Sequence, residues 1–351
     1  FLFLQDRCYC YCGPTLVAIN TFKLVPGLFS YDRLVQYHGV NQDDVDPHAY
    51  SVVEQCYQRL FEKGAANQAM VITGESGAGK SFTTNRMLDY LACIGRPADE
   101  PRPPAFRDPP IKVSDMSFEE KSITDKLLTS TAIVEAFGNA KMPRNNDSSR
   151  FGKLYKIYFD PKTRYIKGCS IDPYLLEKSR VVSLANGERN FHIFYELIRG
   201  LSEAEKTKYR VKELESYAWL KAPPGVQCTY DVDGKDDGAE LIGVKDALNN
   251  FCAGNIENII ATTLGVLRMG DIVIECRTSE EASIPGYDDA IGDVAYLFQV
   301  DEDALKNATE WVEACRGEEC NSGVGGSEEG GGGHASDLRR AFDWPRSRPR
   351  R

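Results

Sequence analysis

Residues 69–81 read AMVITGESGAGKS: a short apolar run, a glycine-rich turn, Lys80 and Ser81, then a helical pattern. Gly74, Gly79, Lys80 and Ser81 complete the pattern G-x-x-x-x-G-K-[ST]. Gly74, Gly77 and Gly79 carry no Cβ, so the backbone can turn tightly and aim several N–H groups inward. Such a cup suits a polyphosphate, and the N-terminus of the following helix adds partial positive charge. Lys80 would reach the β- and γ-phosphates, and the Ser81 hydroxyl would hold Mg²⁺. The competing reading is a chance glycine turn. The strand expected before the turn and the helix expected after it, both required by the motif, weigh against chance.

Composition sets the outer bounds. The 351 residues are 42% hydrophobic with 16 Phe, 17 Tyr and 3 Trp, enough for a sizeable core in one large or two ordinary domains. A net charge of −10 argues against nucleic-acid binding by bulk charge. No apolar run approaches the roughly 18 residues of a membrane-spanning helix, so no transmembrane segment is expected. The start, FLFLQDRCYCYC, has neither a signal-peptide pattern nor an initiator Met, which suggests a fragment. The 11 cysteines form no compact framework and read as reduced thiols of a cytosolic protein. Metal readings for Cys8, Cys10 and Cys12, or for Cys315 and Cys320 with His334, lack a second ligand cluster.

Along the chain, residues 8–20 predict two short strands about a Gly-Pro turn, 47–63 a helix, 69–73 a buried strand and 80–94 a helix. Residues 95–112 are proline-rich and read as a solvated surface loop. A helix is predicted from about 119 to 139. Strands follow at 151–159 and 165–173, paired as a hairpin, and at 175–184. Residues 188–200, 202–220 and 238–269 read as mainly helical, 272–276 as a short strand and 287–315 as one or two helices. Residues 316–351 are Gly-rich and then Arg-rich, with six arginines in 339–351. A basic nucleic-acid, membrane or import patch is one reading of this end. A disordered tail, or sequence foreign to the domain, is the preferred one.

A second motif, RNNDSSRFGK at 144–153, joins a helix ending in EAFGNA to the strand LYKIYF. Asn145 and Ser148 can donate to γ-phosphate oxygens, Ser149 can complete a Mg²⁺ shell, and Arg150 is a planar bidentate donor that seeks a carboxylate. Alone, the segment reads better as an Asn/Ser-rich turn capping a strand. Paired with the phosphate loop it reads as part of an active site.

Together, GESGAGKS and NNDSSRFGK resemble the P-loop and switch I of a myosin motor domain. Kinesins share the N-x-x-S-S-R element, but their phosphate loops usually read differently. LVAINTFK (16–23), PHAY (47–50), EAFGNAK before switch I, LLEKSRVV (175–182), ERNFHIFYEL (188–197) and GVLRMGDIVIE (265–275) follow in myosin order. The resemblance implies an α/β P-loop NTPase, with a mixed central β-sheet flanked by helices and a helical, upper-50K-like portion. Residues 1–315 would be a partial motor domain, with P-loop 74–81, a proline-rich surface loop at 95–112 and switch I at 144–153. Gly74, Glu75, Ser76, Gly77, Ala78, Gly79, Lys80 and Ser81 would hold ATP, with Asn20 by the adenine. Ser81 and Ser149 would bind Mg²⁺. Lys80, Asn145, Ser148 and Arg150 would act in catalysis, Ser148 beside the attacking water and Arg150 pairing with a switch II glutamate. The implied partner is the actin filament, at a cytoplasmic, cytoskeleton-associated location in a myosin complex. Light chains are not encoded in the 351 residues, and no nucleic acid is expected.

The chain departs from the family pattern at several points. Thr21 stands where Pro is usual, Leu28 or Phe29 where a Tyr commonly stacks, Ser81 for Thr, and Asp147 for Asn, the last adding negative charge near a polyphosphate. No switch II stretch of the form D-x-x-G-F-E occurs in 1–351. Arg150 is therefore expected to lack its carboxylate partner. Three readings follow: a piece of an actin-based motor, a module that holds ATP and hydrolyses it poorly, or a partial domain without independent activity. The first is preferred. A different P-loop NTPase class without motor activity is the alternative.

Overall fold

A computed structural model describes residues 5, 7–97, 102, 106, 123–221, 225, 229–276, 282–284 and 289–310. In chain order the elements are β1 (Tyr9–Cys12), β2 (Thr15–Ala18), α1 (Tyr31–Tyr37), α2 (Ala49–Arg59), α3 (Lys80–Ile94), α4 (Ile123–Gly138), β3 (Asn139–Met142), β4 (Asn145–Ser149), β5 (Gly152–Phe159) and β6 (Ile166–Tyr174). Then come α5 (His192–Gly200), α6 (Glu203–Lys208), α7 (Asp237–Phe251), α8 (Ile256–Met269), β7 (Glu275–Cys276), β8 (Ala282–Ser283) and α9 (Asp289–Phe298). Residues 302–310 are also helical. The chain forms two compact units, one from Phe1–Val134 with Gly152–Tyr174, the other from Glu135–Phe151 with the chain from Leu175 onward.

The first unit is built around α2 and α3. The PHAY segment starts α2: His48 is its N-cap, and its Nδ1 accepts from the Tyr50 N–H at 3.0 Å while Nε2 lies 3.0 Å from the Leu28 carbonyl. With Nδ1 as acceptor the ring is neutral, and burial lowers its pKa to about 4. Behind the cap, Tyr50, Val53 and Tyr57 share one helix face at the expected spacing and are buried. The Tyr90 ring of α3 lies 4.7 Å from that of Tyr50, tilted by 37°, and its hydroxyl donates to Glu54 at 2.7 Å, which fixes α3 against α2. The predicted hairpin forms as β5–β6, antiparallel from Gly152↔Tyr174 to Phe159↔Ile166. Phe159 packs edge-on against Tyr57 at 5.4 Å, and the Tyr57 hydroxyl donates to the Arg164 carbonyl.

The second unit is mainly helical. Every residue of α5 from His192 to Ile198 is buried. Gly200 lets α7 approach closely, since a Cβ there would lie 2.8 Å from Leu241. Gly265 of α8 does the same for Phe298 of α9. Before α5, Arg189 makes a forked ion pair with Asp237 at 2.6 and 2.9 Å, both side chains 0% exposed. The Arg199 guanidinium reaches the same carboxylate at 3.0 Å.

Some expectations are corrected. Residues 69–73 are not a buried strand: they pair with no described strand, and Val71 is 87% exposed. An apolar run becomes a central strand only where neighbours satisfy its N–H and C=O groups on both sides. The described residues contain four two-stranded antiparallel sheets, not a mixed central sheet. Residues 175–184 are not a strand either; Lys178–Val181 forms a 3₁₀ turn, because Arg180 turns inward to Glu177 and Glu188. In 202–220 only α6 is α-helical, followed by short 3₁₀ turns. The tail at 316–351, Cys315, Cys320, His334 and most of 95–112 lie outside the described residues.

Glu196, on α5, generates a pH prediction. Its carboxyl is buried, Oε2 has no hydrogen-bond partner, and Lys235 stands 3.5 Å from Oε1. Burial outweighs Lys235 and raises the pKa from 4.5 to about 7. The folded state thus holds this proton more tightly than the unfolded chain. The associated stability is full below about pH 4.5 and is lost as pH rises to about 7. Glu196→Gln is expected to flatten urea-unfolding stability across that range, removing a slope worth on the order of 3 kcal/mol. Leu264→Ala, at a fully buried α8 position, is expected to lose about 2–5 kcal/mol in the same assay.

Candidate functional site

The glycine-rich turn lies in the first unit and ends in α3, whose first residue is Lys80. Gly77 and Gly79 have φ of +80° and +87°, left-handed values that favour glycine. The loop is closed by Ala78 N–H donating to the Glu75 carbonyl at 3.2 Å. Lys80 Nζ arches back and donates to the carbonyls of Gly74 and Glu75, 2.7 Å each. Ser81 is exposed in the first turn of α3, where helix N–H groups have no intrahelical partner.

Asn20 is brought to this loop. Its Nδ2 donates to the Gly77 carbonyl at 2.8 Å, its Oδ1 accepts from Phe22 N–H at 2.9 Å, and its side chain packs beside Gly79. Thr21, in the position where the resemblance led one to expect proline, donates to the Lys23 carbonyl at 3.0 Å and so holds the turn by a hydroxyl instead of a ring. Beside Asn20 and Gly79 opens a cleft of about 430 Å³, within the usual size range of small-molecule pockets. Leu28, Phe29, Phe82 and Thr83 are among its lining residues. Phe29 meets Phe82 edge-on at 5.5 Å. Phe82 and Thr83 escaped the sequence reading, although they immediately follow the motif. An exposed first helical turn after a glycine loop was the available signal.

The second motif lies in the other unit, as the hairpin β3–β4 with Pro143–Arg144 at its turn. Asn139 pairs with Ser149 and Ala140 with Ser148. Asn145, Ser148, Ser149 and Arg150 thus sit on one strand and its exit. Ser148 is only 3% exposed. Asn145 Oδ1 accepts from the Asp147 N–H at 3.1 Å, and Arg150 N–H donates to the Gly138 carbonyl at 2.8 Å.

Arg150 pairs with a carboxylate other than the switch II glutamate that the resemblance implies. Its Nε donates to Glu177 Oε2 at 2.7 Å. Arg180 Nε donates to the same oxygen at 2.7 Å, and Arg180 also reaches Glu188 at 2.8 Å. Partial burial would raise the Glu177 pKa, but the two arginines outweigh it and lower it. Asp147 accepts from Asn139 and His192, 3.1 Å each. Although partial desolvation acts to raise it, those two bonds bring the pKa of this side chain, still 58% exposed, down to about 2. Among the described residues, no group of three or more His, Cys, Asp or Glu side chains is arranged to hold a metal ion. No helix among them is long and apolar enough to cross a membrane.

The sequence profile of the family Myosin head (motor domain) matches residues 2–319. The chain is 33% identical over 308 residues to Myosin-7 of Arabidopsis thaliana, covering 86% of this chain and 16% of that protein. It is 33% identical over 311 residues to the Myosin ID heavy chain of Dictyostelium discoideum, covering 86% and 25%. With the Myosin IA heavy chain of the same organism the identity is 34% over 305 residues, covering 84% and 28%. The chain therefore belongs to the myosin head (motor domain) family. It spans between about a sixth and just over a quarter of the length of these relatives.

The two arginines on Glu177 differ in burial, 24% exposed for Arg150 and 4% for Arg180. Arg150→Met is expected to change unfolding free energy by less than about 1 kcal/mol, as for partly exposed pairs. Arg180→Met takes the ion-pair partner from Glu188, leaves Glu177 with Arg150 alone, and is expected to lose about 3–5 kcal/mol. Paired urea titrations of the two variants check the contrast.

Proposed function

We propose that this chain is the ATP-binding portion of an actin-based cytoskeletal motor that couples ATP hydrolysis to movement on actin filaments. The observation that carries the reading is the phosphate loop at 74–81, with Lys80 arched over the Gly74 and Glu75 carbonyls at the start of α3. Family membership supports the rest. On this reading residues 1–315 belong to the motor domain.

The chemistry of the donor set fits a nucleoside triphosphate. Loop N–H groups between Gly74 and Ser81, other than that of Ala78, and the N–H groups of the first turn of α3 would take phosphate oxygens. The Lys80 ammonium exchanges its two carbonyls for phosphate. Asn20 and the apolar cleft beside it take the adenine. Ser81 and Ser149 offer hydroxyl oxygens to Mg²⁺, a hard cation that prefers such ligands. Bound there, the metal neutralises charge on the phosphates. Asn145 and Ser148 donate to the transferred phosphoryl group, with Ser148 orienting the attacking water, because phosphoryl transfer needs positioning and charge stabilisation more than covalent help. Arg150 closes the site by pairing with a carboxylate. The whole protein would work in the cytoplasm in association with the cytoskeleton, with actin as its partner.

A fluorescent ATP analogue titrated in Mg²⁺ tests the assignment. Lys80→Ala is expected to weaken binding at least tenfold, and equal affinity of wild type and variant removes the loop from the site. Since no D-x-x-G-F-E stretch occurs in the 351 residues, actin-stimulated phosphate release by this chain is expected to stay near the basal rate. Normal motor turnover in that assay would mean that these residues suffice for hydrolysis without a switch II segment.

A further inference from the structure

We propose that His192 is a positioning residue for switch I, held as one neutral tautomer by Arg189 and gripping β4 through Asp147. The proposal rests on reading 144–153 as switch I. Arg189 Nη2 lies 2.8 Å from His192 Nδ1. A guanidinium donates and never accepts, so Nδ1 carries a lone pair and the single ring proton sits on Nε2. Nε2–H then donates to Asp147 Oδ1 at 3.1 Å, where the Asn139 amide converges on the same oxygen at 3.1 Å.

The anchor behind the imidazole is rigid. Arg189 is forked onto Asp237, donates to the Tyr230 carbonyl at 3.0 Å and lies over the Tyr195 ring at 4.3 Å. Arg189, His192 and Asp237 are each 1% exposed or less. The backbone runs parallel to this grip: the Arg189 N–H donates to the Lys141 carbonyl, and Ala140 bridges Phe191. Asp147 immediately precedes Ser148 and lies two residues before Ser149. Fixing its carboxylate fixes the strand that presents both hydroxyls. The usual family Asn at this position offers an amide oxygen in the same place, so the position serves as an acceptor for His192, and its charge is incidental to that task.

Two substitutions separate this from a packing role. Glutamine at 192 can accept from Arg189 through Oε1 and donate to Asp147 through Nε2, whereas leucine fills the space and does neither. His192→Leu is expected to speed amide hydrogen exchange at residues 145–149 at least tenfold and to speed release of the ATP analogue, with α8 amides as the folding control. His192→Gln is expected to preserve both rates, and Asp147→Asn to behave as wild type where Asp147→Ala does not. Long-range ¹H–¹⁵N correlation should show a protonated Nε2 and an unprotonated Nδ1 on His192. A proton on Nδ1, unchanged exchange in His192→Leu, or a His192→Gln variant as damaged as His192→Leu overturns the proposal. Equal analogue affinity of wild type and Lys80→Ala, with the exchange pattern as expected, overturns the nucleotide-site reading and confines His192 to holding the hairpin.

Discussion

The helical unit depends on one buried ion pair, Arg189 with Asp237. Two charges at 0% exposure are tolerable only when each is matched and hydrogen-bonded, because the desolvation penalty runs to several kcal/mol per ion. In this unit the guanidinium uses Asp237, the Tyr230 carbonyl and His192, and the carboxylate also takes Arg199. The pair ties the approach to α5 to the first residue of α7. It also decides which nitrogen of His192 holds a proton, and so reaches the β3–β4 hairpin. A packing interaction would have fixed position alone; this one fixes a protonation state as well.

The first unit uses a different constraint. The glycine-rich loop at 74–79 is largely exposed, so its shape comes mainly from glycine conformations and from α3 behind it. α3 is immobilised by Tyr90 against Tyr50 and Glu54, remote from Lys80 along the helix. Asn20 supplies the other anchor, committing its amide hydrogen bonds to Gly77 and Phe22. Apart from the Ala78–Glu75 bond that closes it, the loop takes its support from the helix behind it and from a side chain of a separate turn.

Much of this was legible in the residues. The glycine pattern located the start of α3 to the residue, and alternation in GKLYKIYF located β5 and its hairpin partner. The spacing of Tyr50, Val53 and Tyr57 located the buried face of α2. These are local signals, fixed by φ/ψ restrictions and side-chain period. Two strands were misjudged because their decision is not local. VIT at 71–73 has strand chemistry without described neighbours to pair with, and LLEKSRVV has strand-like apolar positions that a buried arginine overrides. The partner of Arg150 was missed for the same reason. Glu177 lies 27 residues further along, and nothing in spacing ties the two. His192 was equally hidden inside an apolar stretch whose aromatic residues read as core.

Glu177 sits between two arginines, and this gives the hairpin a property that neither pair has alone. A carboxylate with a single partner must be left bare before that partner can go elsewhere, and baring it is the main barrier to exchange. Glu177 would still hold Arg180 after Arg150 departs, so it is never uncompensated. Loss of Arg150 would therefore change the charge balance around Glu177 little. The buried arginine alone is enough to keep the carboxylate matched, and the more exposed one is the partner whose removal costs least.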